Sequence, residues 1–184
     1  VNVDEIDLPK KSRQERVLKD SYFDGYEYKG YRVKTKLVIE GRKQYRPLKL
    51  SASNDVYKTF RNLGDSDREK FYSILLDTKN KVIGVDMVSQ GSVNSSVVNP
   101  AEVYKSALLA SASSVIFVHS HPSGDFEPSL DDRGLTTLLK KAGELMGIEV
   151  LDHVIIGRDG YYSFADKGEL WSLLRDRDRK SGSE

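Results

Sequence analysis

The chain has 184 residues, 38% of them hydrophobic and 31% charged, enough for one ordinary core plus an appendage beneath a well-solvated surface. It contains no cysteine, which excludes disulfides, thiolate metal sites and cysteine nucleophiles. No apolar run approaches the roughly eighteen residues of a membrane span and the first residues lack an apolar signal core, so a soluble, cytoplasmic protein is expected.

The formal net charge of +1 argues against a polyanion-binding specialist, but the charge is uneven. Residues 1–50 hold 13 Lys and Arg against 8 Asp and Glu, whereas the remainder holds 16 against 20. Residues 1–21 are polar with little periodicity and read as an extended arm. Tyr31 and Val33 to Ile39 resemble a strand, Gly41 to Lys43 a turn and Gln44 to Leu50 a second strand, which predicts a β-hairpin. Five of the ten tyrosines (Tyr22, Tyr26, Tyr28, Tyr31 and Tyr45) fall here among basic residues. Such a mixture suits packing or a protein contact; it also suits nucleic acid, although no dense basic run is present.

Ser51 to Asp55 is a cap-like cluster, and Val56, Phe60 and Leu63 follow at helical spacing up to Gly64. Glu69 to Asp77 reads as a strand, Thr78 to Lys81 as a tight turn, and Val82 to Val88 as the hairpin partner. Pro100 suits the first turn of a helix whose apolar stripe is Val103, Ala107, Leu108 and Ala110. Val115 to Val118 is a short unbroken apolar run, expected of a strand buried on both faces. A helix from Ser129 carries Leu135, Leu138, Leu139, Ala142, Leu145 and Met146 and stops at Gly147. Ile148 to Ile156 and Tyr161 to Phe164 read as strands, Lys167 to Arg175 as a last amphipathic helix, and residues 177–184 as a flexible tail. This order describes an α/β sandwich with a mixed sheet.

The chemistry concentrates in Val115 to Asp132, VIFVHSHPSGDFEPSLDD. The strand delivers His119 and His121, and an i, i+2 spacing in an extended chain puts both imidazoles on one face. A Pro-Ser-Gly turn leads to Ser129, and Asp132 falls in the first turn of the following helix, where it can face the strand end. Two neutral imidazoles and one carboxylate without a fourth protein ligand describe an open, catalytic-type zinc site. Its fourth position would hold a water whose pKa is lowered to about 7. Asp125 and Asp131 are neighbouring carboxylates, and Ser129-x-x-Asp132 is also a helix-capping pattern.

His-x-His, seven residues, then Ser-x-x-Asp resembles the JAMM (MPN+/JAB) metallopeptidase signature. The stretches HSHPSGDFEPS, LLKKAGELMGIEVLDHVIIG and YYSFADKGEL are similar to its RadC-like branch, over roughly Ser53 to Leu170. Ser120 stands where that branch often has Asn, and the helix-hairpin-helix front end of longer RadC proteins is not evident. The resemblance implies a three-layer α/β sandwich of the JAB/MPN, cytidine-deaminase-like kind over residues 51–176, with residues 1–50 as an appendage.

The resemblance also implies one catalytic Zn²⁺ held by His119, His121 and Asp132, with peptide or isopeptide hydrolysis as the reaction. Glu69 matches the glutamate that serves as general base, with Glu102 as the fallback. Ser129 would hydrogen-bond the substrate carbonyl or oxyanion, unless it only caps the helix. Ser123 and Gly124 would shape the loop, Ser120 would point away, and His153 would be structural or support a ligand. A peptide or protein substrate is the expected partner; DNA is the alternative, contacted through the basic, tyrosine-containing front, since RadC-like proteins also carry a DNA-repair label. A non-catalytic scaffold is a third reading, which the intact ligand set disfavours. Other metal chemistries fail on residues: zinc deaminases need Cys-x-x-Cys, zincins need His-Glu-x-x-His, and His-x-His-x-Asp-His hydrolases need other residues at Ser123 and Gly124.

Overall fold

Strand β3 (Ser114–Ser120) has all seven residues buried and occupies the middle of a five-stranded sheet. The computed structural model describes residues 49–91 and 98–172, all within one compact unit. Besides β3, the sheet comprises β1 (Glu69–Leu76), β2 (Val82–Gly91), β4 (Glu149–Ile156) and β5 (Tyr161–Ser163), in the order β2-β1-β3-β4-β5. Only β3 and β4 are parallel; the other pairs are antiparallel. That parallel pair needs a long crossover, which helix α3 (Leu130–Met146) supplies.

The unbroken apolar sequence of β3 is explained by cores on both faces. Val115 and Phe117 pack with Val103, Tyr104 and Ala107 of helix α2 (Pro100–Leu109) and with Leu135 and Leu139 of α3. Ile116 and Val118 pack on the opposite side with Val56, Tyr57 and Phe60 of helix α1 (Ser53–Phe60). Helices therefore cover both faces, and the expected three-layer sandwich with a mixed sheet is the observed architecture. Its short last helix, α4 (Glu169–Ser172), adds Leu170 to the first core.

Helix ends follow local chemistry. Asp55 starts α1 from within, its Oδ2 accepting from the Ser51 and Ala52 amides at 2.9 and 3.2 Å. Asn99 caps α2 by accepting from the Ala101 amide at 2.9 Å, with Pro100 at the first helical position. Gly147 ends α3 in the left-handed conformation, φ 69°.

Several boundaries differ from expectation. Strand β3 continues through Ser120, so His119 lies inside it, and β2 continues to Gly91. The last helix starts after Gly168 rather than at Lys167, because Gly168 takes a left-handed φ of 70°. Leu108, Leu138 and Leu145, expected on apolar stripes, are exposed. In α2 the inward position belongs to Tyr104, whose hydroxyl donates to the Leu139 carbonyl at 2.7 Å. The expected arm, the tail and nearly all of the β-hairpin lie outside the described residues, as does the segment carrying the nucleic-acid reading. Of that segment, Lys49 makes an antiparallel bridge to Lys81 and Leu50 is buried. Among the described residues, no helix is long and apolar enough to cross a membrane.

Candidate metal centre

Strand register brings the first three groups together. In the antiparallel β1/β3 pair, Phe71 lies opposite His119 and Lys70 opposite Ser120. Continued by one residue, that register sets Glu69 across from His121. The side chains of Glu69, His119 and His121 each offer a ligand atom, and these atoms all lie within 4.8 Å of one another. His119 is buried, whereas Glu69 and His121 are partly exposed, so the cluster opens on their side. The imidazoles meet edge to face, with centroids 4.5 Å apart.

Asp132 enters from α3. Ser129 and Asp132 form a capping box: Ser129 Oγ accepts from the Asp132 amide at 3.1 Å, while Asp132 Oδ2 accepts from the Ser129 amide at 2.8 Å and its hydroxyl at 2.6 Å. This box aims the carboxylate back at the strand end. Oδ1 lies 3.5 Å from His119 Nε2 and Oδ2 3.4 Å from His121 Nε2. Asp132 therefore faces both histidines, the same two rings with which Glu69 groups. Beside it, Arg133 pairs with Glu169 and lies over the Tyr162 and Phe164 rings, tying the start of α3 to the segment after β5.

The ring nitrogens are oriented before any ligand arrives. His121 Nδ1 lies 2.9 Å from the Asp125 carbonyl oxygen; a carbonyl only accepts, so Nδ1 carries a hydrogen and Nε2 is the nitrogen turned toward Asp132. Burial lowers the pKa of His119 to about 4 against the raising effect of Asp132, which keeps that ring neutral. His121 is shifted upward, first by its hydrogen bond with Asp132. Burial works to raise Asp132, but bonds from His121 and Ser129 and the proximity of His119 hold its carboxyl well below the usual carboxylate range.

The loop supplying the Asp125 carbonyl is held by close packing. Ser123 Oγ accepts from the Asp125 amide at 3.2 Å, and Asp125 Oδ1 accepts from the Glu127 amide at 3.0 Å. Gly124, with φ 80°, donates to the His121 carbonyl and accepts from the Arg158 amide. Phe126 lies against Gly157 and Gly160, where an added Cβ would come within 2.8 Å of its ring.

The other candidates stand elsewhere. Glu102 is exposed on α2, 3.2 Å from Lys105. Asp131 is exposed in the first turn of α3, and Asp125 contributes its backbone to His121. Ser120 pairs with Ile156, which faces the α1 core, so it lies on the opposite sheet face from His119. Ser129 is engaged in the cap through both its oxygen and its proton. His153 is fully buried on the His119 face, and burial lowers its pKa to about 3. Thr136 and the Asp125 carbonyl were not anticipated. Thr136 bonds both the Asp132 carbonyl and His153, and its position one turn after Asp132 was the only sequence signal for it.

The residues fit a divalent cation. The Nε2 atoms of His119 and His121 face Asp132, Glu69 groups with the same two rings, and the partly exposed Glu69 and His121 leave access.

A family model for the RadC-like JAB domain matches residues 50–169. The chain is 47% identical over 121 residues to a UPF0758 protein of Methanosarcina mazei, covering 65% of this chain and 53% of the relative. It is 46% identical over 124 residues to a UPF0758 protein of Thermotoga maritima, covering 67% and 56%. The chain thus spans about half the length of the curated relatives it matches.

Proposed function

The chain belongs to the RadC-like JAB domain family, and from that premise we propose that it is a metal-dependent hydrolase of the JAMM type acting on peptide or isopeptide bonds. The observation carrying this reading is that Glu69 and Asp132 each approach the His119–His121 pair, with His121 Nε2 already turned inward by Asp125. His119, His121 and Asp132 would hold one zinc ion. When bound, the ion supplies Lewis acidity, polarising the scissile carbonyl and lowering the pKa of water.

The protein's own groups have distinct tasks. Glu69, at the open side, takes the proton of the attacking water and passes it to the leaving amine, a contribution of about 10²–10⁴ in rate. Asp132 holds its place through the capping box, whose stiffness fixes the carboxylate in front of both histidines. The Ser129 hydroxyl can turn to a substrate oxyanion only by releasing Asp132 Oδ2. Its capping bond from the Asp132 amide survives that rotation, so both roles are compatible.

The test is turnover of a panel of peptide and isopeptide substrates by zinc-loaded wild type and Glu69→Gln. The reading predicts cleavage by wild type, at least 10²-fold slower in the variant. Equal rates in the two proteins would overturn the role of Glu69, and no cleavage by zinc-loaded wild type would overturn the peptide-bond assignment.

A further inference from the structure

His119 and His153 each carry a buried ring nitrogen without a hydrogen-bond partner among the described residues: Nδ1 of His119 and Nε2 of His153. Their rings lie on neighbouring strands with centroids 5.5 Å apart and planes 29° from parallel. An ordinary N–H···N bond of about 3 Å, with roughly 1 Å from each nitrogen to its ring centre, requires about this separation. The centroid separation is close to that span, and closing the bond requires His119 Nδ1 to turn toward His153.

The chemistry of the nitrogens is complementary. Thr136 Oγ1 donates its only proton to the Asp132 carbonyl at 2.6 Å, so toward His153 Nδ1, 2.7 Å away, it can only accept. Nδ1 of His153 must carry the hydrogen, which leaves Nε2 as an acceptor. His119 turns its Nε2 toward Asp132; a metal taken there leaves the hydrogen on Nδ1, a donor. The His153 ring is fixed by an 8° stack on Phe164 at 5.2 Å and by the edges of Phe71 and Phe117.

We propose that His153 is a positioning residue for the metal centre, its Nε2 accepting the hydrogen bond of His119 Nδ1–H. This inference rests on the metal site proposed above. The resulting chain runs from His119 through His153 and Thr136 to the Asp132 backbone, joining two ligands that arrive from different elements. Partners of this kind fix ring orientation and raise ligand basicity, and their loss commonly weakens metal binding 10–100-fold.

The test measures the zinc dissociation constant by chelator competition for wild type, His153→Phe and Thr136→Val, together with ¹⁵N NMR of the imidazoles. His153→Phe retains an aromatic ring in the stack and should bind zinc at least about 10-fold more weakly with its fold intact. Thr136→Val should shift affinity in the same direction. In metal-free wild type, His153 should be protonated at Nδ1 only, and zinc should move its Nε2 resonance, which a purely space-filling ring would not do. A folded His153→Phe with wild-type affinity would overturn the inference alone; if that variant does not fold, a proton on His153 Nε2 in wild type would do so. No zinc uptake by wild type would overturn the metal site itself, and this inference with it.

Discussion

The carbonyl of Asp125 accepts a hydrogen bond from His121 Nδ1 at 2.9 Å, so a loop beyond the strand decides which nitrogen His121 presents. That loop is held in turn by Phe126 against Gly157 and Gly160. A Cβ at position 157 would come within 2.5 Å of the Gly124 carbonyl and 2.8 Å of the Phe126 ring. Gly157→Ala should therefore displace the loop at a cost of about 1–3 kcal/mol and weaken zinc binding about 10-fold or more. Thermal denaturation and chelator competition check both; unchanged affinity would show that His121 does not need this support.

The Ser129–Asp132 box makes a second prediction. Ser129→Ala removes the acceptor for the Asp132 amide and the hydroxyl bond to Oδ2. Loss of an N-cap should lower stability by about 1 kcal/mol, and zinc affinity should fall as the carboxylate loses a restraint. If the hydroxyl also serves the substrate oxyanion, kcat of zinc-saturated Ser129→Ala falls as well, whereas a cap alone leaves kcat at the wild-type value.

Much of this site is legible from the sequence because its parts lie close along the chain. The apolar run fixes β3, the i, i+2 histidines share its face, and Ser129 with Gly147 brackets α3. The phase of α3 is harder to read, since spacing alone does not say which stripe turns inward. The box turns Asp132 toward the sheet, and the buried set then follows from it as Leu135, Thr136, Leu139, Lys140 and Gly143. Leu138 and Leu145 fall off that phase and are exposed. Lys140 takes an inward place because its ammonium reaches the Leu170 carbonyl at 2.6 Å. The juxtaposition of His153 with His119 depends on β3/β4 register, which no local pattern encodes.

Close packing between α2 and α3 gives a third prediction. A Cβ on Gly143 would come within 2.6 Å of both the Tyr104 hydroxyl and the Ile148 carbonyl. Gly143→Ala should destabilise the protein by about 1–3 kcal/mol despite the better helix propensity of alanine. Denaturant unfolding measures it, and a stabilised variant would contradict the packing described.

Asp152 supplies a pH dependence. Burial raises its carboxyl to about 6, against bonds from Ser163, Ala165 and the His153 amide. The folded state therefore holds this proton more tightly than the unfolded chain, whose ordinary value is near 4. The stabilisation linked to it is fully present below about pH 4 and is lost as pH rises through about 6, a difference of about 3 kcal/mol. Asp152→Asn keeps an acceptor for the two amides and can donate to Ser163, so it should fold and remove this component. The stability difference between wild type and variant should change between pH 4 and 7 in favour of the variant at the higher pH; a constant difference would contradict it.

The central claim is tested most directly by elemental analysis of purified wild type, His119→Ala and Glu69→Gln after equilibration with zinc and removal of excess. About one zinc per chain is expected in wild type and in Glu69→Gln, with loss in His119→Ala. Zinc lost from Glu69→Gln would make Glu69 a ligand rather than the base, and wild type without zinc would contradict the metal centre altogether.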